Sequence, residues 1–224
     1  MNPKTAVLLA LLVLSSSAFA FSPLQIGVGW PGHYNLQLVS SNTPVIGLRL
    51  DLPGSDNQTV GGLDMGIGAH SDTFSGIGLT CFSVTEKTLN GISIGLLGTS
   101  ADTVNGIQLA PIAWARSVRG IQAGLFPIAY GLGESFCGVQ IGFCNFAEDL
   151  RGVQVGIFNN GRRFFGSDGS VHGVQLGLFN STPALYGVQI GILNFTENLH
   201  GVQIGILNYD TGDHFPIPLL RAAF

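Results

Sequence analysis

Gly187-Val-Gln-Ile-Gly-Ile-Leu-Asn194, continued by Phe195-Thr-Glu-Asn-Leu-His200 and then by Gly201-Val-Gln-Ile-Gly-Ile-Leu-Asn208, is the stretch that decides the fold. It nearly repeats itself from residue 187 to residue 201, and the same phrase returns at Gly138, Gly152 and Gly173. Looser copies start at Gly62, Gly76, Gly91, Gly106 and Gly120, so the glycines step by 14, 15, 15, 14, 18, 14, 21, 14 and 14 residues. A fixed short period of this kind is the signature of a repeat architecture. Two steps carry insertions, one around Tyr130 to Ser135 and one around Gly161 to Ser170.

With the repeat glycine as position 1, positions 2, 4 and 6 are apolar and positions 3 and 5 are Gln and Gly in the clear copies. Alternation with period two is a strand pattern. An aliphatic residue two places before each glycine, as in Leu89, Val104, Val118, Leu150, Leu185 and Leu199, falls on the Gly and Gln face. Position 8 is Asn in the last five copies (Asn145, Asn159, Asn180, Asn194, Asn208), where a short amide side chain tolerates the turn that ends the strand. One repeat therefore reads as about nine strand residues and about five turn residues. Further strands are expected within residues 24–52 (Leu24 to Trp30, Tyr34 to Val39, Val45 to Leu52), ahead of repeats spanning about 62–208, with a terminal strand over 215–224.

Two all-β architectures accommodate this unit. An antiparallel up-and-down meander closes into an outer-membrane-type β-barrel of about 12–14 strands, since transmembrane strands are roughly 9–11 alternating residues long. The alternative is a β-solenoid of 14-residue coils, with positions 2, 4 and 6 turned into the core and Gln stacked outside as a ladder. The solenoid accounts better for the constancy of Gln. The barrel accounts better for the aliphatics at positions 7 and 13, and it is the expectation adopted. Both insertions follow odd-numbered repeats, which counts against it, because long barrel loops normally lie on the outside. In the barrel, the lumen is lined by Gln140, Gln154, Gln175, Gln189 and Gln203 with Gly142, Gly156, Gly177, Gly191 and Gly205. The lipid-facing set is Val139, Ile141, Val153, Val155, Val174, Leu176, Val188, Ile190, Val202 and Ile204, which makes the outer-membrane bilayer the expected partner.

Composition places the chain outside several classes. Of 224 residues, 10% are charged and 33 are Gly, against averages near 25% and 7%, which excludes an ordinary soluble enzyme and a disordered chain. Residues 1–20 read as a signal peptide, with Lys4 as a basic start, Ala6 to Leu14 as a short apolar run and Ala18-Phe19-Ala20 as the cleavage site. Residues 21–224 then form one exported, repeat-built β domain in a Gram-negative type envelope, at the outer membrane or cell surface, with a periplasmic or secreted location as the alternative. A net charge of −4 with no basic cluster beyond Arg162-Arg163 excludes a nucleic-acid footprint.

Catalytic, cofactor and metal sites are expected to be absent. His172 and His200 sit two repeats apart at the same position, about 10 Å from each other, too far to share a metal. Asp51, Asp56, Asp64 and Asp72 lack calcium-loop spacing, and the Gly-x-Gly fragments belong to the repeat. Cys81, Cys137 and Cys144 are an odd set; the last two lie at opposite ends of one strand and cannot bridge.

The tandem GVQIG-x-x-N units over residues 44–208, with the lead-in Val45-Ile-Gly-Leu-Arg-Leu-Asp-Leu52, resemble an uncharacterised family of bacterial surface repeat-containing proteins. The resemblance implies a surface or outer-membrane setting and no established activity. The function expected of the barrel is that of a non-enzymatic outer-membrane protein, structural or passively pore-like, and that of the solenoid alternative is adhesion or binding at the surface or in secreted form. The copies at Gly76, Gly106 and Gly120 depart from the pattern, and Pro111 and Pro127 intrude on two of them.

Overall fold

Residues one repeat apart lie side by side, each glycine on a glycine and each glutamine on a glutamine. The computed structural model describes residues 21–29, 35–129, 135–162, 169–212 and 215–224, and every regular element among them is a strand. The proposed signal peptide, Trp30, Tyr34, His33 and His214 fall outside the described residues. The chain divides into two compact units, Met1–Leu96 and Leu97–Phe224, and its fold is a β-solenoid.

In the first unit, β1 (Ser22–Gly29) pairs in parallel with the start of β3 (Val45–Leu109), which sets Gln25 beside Arg49. The short β2 (Asn35–Gln37) runs antiparallel to β1. The long β3 is a succession of coils: Gly62 lies against the carbonyl of Gly47, Gly76 against that of Gly62, and Gly91 against that of Gly76. In the second unit, β4 (Ile112–Gly124) pairs in parallel with the end of β3, with β5 (Phe126–Ala129) and with β6 (Ser135–Ala147). Parallel pairing continues from β6 to β7 (Asp149–Asn160) and on to β8 (Ser170–Asp210), with Gly138, Gly152 and Gly173 in one row and Gln140, Gln154 and Gln175 in another.

This pairing overturns the barrel. A meander requires sequence neighbours to be antiparallel, whereas consecutive repeats here are parallel and in register, as in the 14-residue-coil alternative. The strand count fails with the barrel. The terminal segment is β9 (Ile217–Ala223), which runs antiparallel along the last coil, Gly201 facing Ala223 and Gln203 facing Arg221, and so caps the second unit. The insertions cease to be anomalous. Both leave their coil after position 10, and every coil of a solenoid presents that corner to the same side, so odd and even repeats are equivalent; residues 130–134 and 163–168 within them fall outside the described residues.

The glycine at position 1 is a steric requirement. Gly152 holds φ at 147°, and a Cβ there would penetrate the carbonyl of Gly138 one coil below. Gly156, at position 5, meets the same limit against the carbonyl of Gly142, and its missing side chain also makes room for the amides of Asn145 and Asn159. The solenoid expectation is corrected in its facing. Gln140, Gln154, Gln175, Gln189 and Gln203 are all fully buried, while Ile141, Val155, Ile190 and Ile204 are exposed and Val139, Val153, Val174, Leu176, Val188 and Val202 half-buried. Polar residues therefore occupy the inside and aliphatics the outside.

Burial of amides is tolerable because stacking satisfies them. Each Gln Nε2 donates to the Oε1 of the preceding coil, at 2.9 Å for Gln122 to Gln108 and Gln140 to Gln122, then 2.8, 2.7, 2.7 and 2.8 Å up to Gln203. In Gln122 and Gln140 the same nitrogen also reaches backbone carbonyls, including those of Ala113 and Phe146, which fixes the orientation of the amide. The Asn ladder runs the other way: Nδ2 of Asn145 donates to Asn159, Asn159 to Asn180, Asn180 to Asn194 and Asn194 to Asn208, at 2.6 to 2.8 Å. The aliphatics two places before each glycine complete the interior, with Val104, Val118, Leu150, Val171 and Leu185 fully buried.

Gln154→Leu deprives Gln140 Oε1 of its donor and Gln175 Nε2 of its acceptor. At about 1–3 kcal/mol for each orphaned buried group, the substitution is expected to lower unfolding stability by about 2–6 kcal/mol. Denaturant melts of the two chains measure this, and an unchanged midpoint would show that the ladder contributes nothing.

Candidate interaction face

In the second unit, positions 14, 2, 4 and 6 project outward from one parallel sheet, and position 7 follows at its edge. From the repeat at Gly106 to that at Gly201, every residue at positions 2, 4, 6 and 7 is uncharged and apolar. Phe143, Leu178, Ile192, Ile206 and Leu207 are among the exposed side chains, with Ile206 61% accessible. Seven coils at about 4.8 Å spacing and positions 2 to 6 at about 3.3 Å per residue give a face about 29 Å long and about 13 Å wide. This is a contiguous apolar area of a few hundred Å², comparable with the largest apolar patch of a typical monomer. The residues expected to face lipid thus share one outward surface, and those expected to line a lumen are packed inside.

Aromatic rings stack along the corner beyond the face because the register repeats them at the same position. Phe158 and Phe179 stack at 4.8 Å and Phe195 and Tyr209 at 5.2 Å, and these four help to line a groove of about 390 Å³. Asn159, Asn180 and Asn194 also line it, yet their amides are engaged by one another and by backbone carbonyls. The groove accordingly presents apolar walls.

On the opposite border lies the position-14 column, which includes exposed Arg119, Cys137, Arg151, His172, Tyr186 and His200. His172 and His200 are bridged by Tyr186, whose ring stacks on both at 4.5 and 4.8 Å. Sequence reasoning separated the two histidines correctly and missed the ring between them, although Tyr186 occupies the same repeat position. Among the described residues no group of His, Cys, Asp and Glu is arranged to hold a metal ion, and Cys81, Cys137 and Cys144 are free.

The first unit carries its charges differently. Arg49 occupies the interior row that holds glutamine elsewhere; its Nε and Nη2 donate to the two carboxylate oxygens of Asp64 at 2.9 and 2.6 Å, and its Nη1 donates to the His70 carbonyl. Asp51 lies 3.5 Å from the same guanidinium and accepts from Ser55 Oγ. Burial pushes the Asp51 carboxyl up to about 8 against the pull of Arg49, and neighbouring Asp64 reinforces the rise. Nearer the surface, His70 sits between Asp56 at 2.9 Å and Glu86 at 3.2 Å. Burial lowers its pKa, but these two acids outweigh that effect and hold it above the usual 6.5. Arg49 and Asp64 neutralise each other inside the coil, where Arg49, Asp51 and Asp64 are all buried.

Comparison with family models, with curated proteins and with solved structures finds no match.

Both raised groups bind a proton more tightly in the folded state than in the unfolded one. The stabilisation from Asp51 is complete below its ordinary value of 3.8 and is lost as pH rises through about 8; that from His70 is complete below 6.5 and is lost above it. The first unit is therefore expected to lose stability as pH rises from about 4 to about 8. Amide exchange of residues 45–90 across that range checks the trend, and Asp51→Asn should flatten it.

Proposed function

We propose that this chain is a non-enzymatic, exported surface solenoid that works by docking its apolar face, as an adhesion or binding module. The observation that carries the reading is the outward apolar sheet of the second unit, whose positions 2, 4, 6 and 7 carry no charge over seven coils. Water-exposed Ile, Leu and Phe in register along a rigid sheet gain free energy when covered, at roughly 25 cal/mol per Å² of apolar area. Regular coil spacing keeps the face continuous, which suits an extended partner better than a small ligand in a cleft. The signal-peptide pattern of residues 1–20 and the resemblance to surface repeat proteins support export and a surface location.

A face that docks should be separable from the fold that carries it. Ile190→Glu combined with Ile204→Glu alters two exposed side chains and neither amide ladder. The unaltered chain is expected to fold in detergent-free buffer and to be retained on a phenyl-substituted resin. The double variant should keep the same β-type circular dichroism and elute at least tenfold earlier in salt-matched washes, since about 1.4 kcal/mol corresponds to tenfold. Equal retention of both proteins would refute the docking face, and folding that depends on detergent would refute the reading as a whole.

A further inference from the structure

The charges bordering the apolar face identify its partner. Among the described residues, Arg49, Lys87, Arg116, Arg162 and Arg221 each pair with a carboxylate: Asp64, Asp72, Asp102, Glu197 and Asp210 respectively. Arg119 and Arg151 are in no such pair. Both are exposed, and both stand at position 14, in register through Cys137 and immediately beside the apolar columns at positions 2 and 4. Of the acidic residues of this unit, Asp102, Glu148 and Glu197 stand three positions before that column, on the side away from the apolar columns, and Asp149, two residues before Arg151 in β7, accepts from the backbone and hydroxyl of Ser170.

The sheet therefore presents, in order, a border carrying two guanidiniums outside any ion pair, a half-exposed band of mostly valines and a fully apolar band. In the same row as the arginines, His172, Tyr186 and His200 place amphipathic rings at the polar border, as side chains at a membrane–water interface do. An oily surface with negative charge at its edge is the complement of this arrangement. We infer that the face lies on an anionic lipid bilayer, with Arg119 and Arg151 on lipid phosphates and the aliphatic columns seated at the boundary between headgroups and acyl chains. The assignment rests on the docking reading above and names its partner. A second copy of the chain fits less well, because a two-fold pairing of this face sets part of the cationic row against apolar residues or against itself.

The test is flotation of the purified chain with vesicles of phosphatidylcholine alone and of phosphatidylcholine mixed with phosphatidylglycerol. Binding is expected to the mixed vesicles, to be weakened by added salt, and to be reduced about tenfold or more in Arg119→Gln/Arg151→Gln, because each surface cation contributes roughly fivefold on an anionic membrane. Arg119→Lys/Arg151→Lys keeps the charge and should keep the binding, which separates electrostatic loss from misfolding. Equal binding to both vesicle types, or an unaffected Gln double variant, overturns the anionic-lipid assignment. If neither vesicle binds and sedimentation equilibrium shows a dimer abolished by Ile190→Glu/Ile204→Glu, the partner is a second copy: the lipid assignment falls while the docking face stands.

Discussion

Everything in this protein depends on the contact between successive glycines at position 1. With no side chain in the way, the backbone of Gly152 sits directly over the carbonyl of Gly138, and the same approach is made coil after coil. That proximity sets the spacing at which identical side chains meet. Only then do the glutamine and asparagine amides come within hydrogen-bond reach of the amides above and below. The polar interior, unusual for a chain so poor in charge, is a consequence of this stacking rather than a condition for it.

Because the interior consumes the amides, the apolar residues go outward. A coil of 14 residues has room inside for one long amide, one short amide, a small residue and one aliphatic, and in the coil beginning at Gly138 these are Gln140, Asn145, Ala147 and Leu150, all buried. Val139, Ile141 and Phe143 alternate with this inner set and have no interior place. The exposed face is thus inseparable from the ladder: the period-two pattern that buries Gln140 necessarily projects its neighbours.

Much of this was legible in the sequence. The repeat, its strand character and the aliphatic two places before each glycine all follow from spacing, and Leu150 and Leu185 are buried as their position implies, whereas the asparagines expected to end each strand in a turn lie buried within β6, β7 and β8. The choice between barrel and solenoid was harder, since both present alternating faces and strands of similar length. The deciding signals were the recurrence of Gln, which only in-register stacking rewards, and the shared corner of the insertions after Ala129 and Gly161. What the pattern concealed was the direction of the amides, because aliphatics are ordinarily assigned to the core and Gln to water. Pairwise satisfaction of Gln140 by Gln122 and Gln154 reverses that rule, and it exists only between coils. The Arg49–Asp64 pair was hidden likewise: the two residues are fifteen positions apart, and nothing in single-strand alternation marks them as neighbours.

The two amide ladders point in opposite directions along the coils, glutamines donating toward earlier repeats and asparagines toward later ones. Aligned amides resemble the peptide dipoles of a helix, whose sum grows into partial charges at its ends. Here the two rows oppose each other wherever both are present, and the strands themselves contribute little net dipole. No field accumulates with length, so the number of coils is free to vary without electrostatic penalty, and a stretch of repeats added or deleted by recombination leaves the remaining interior as balanced as before.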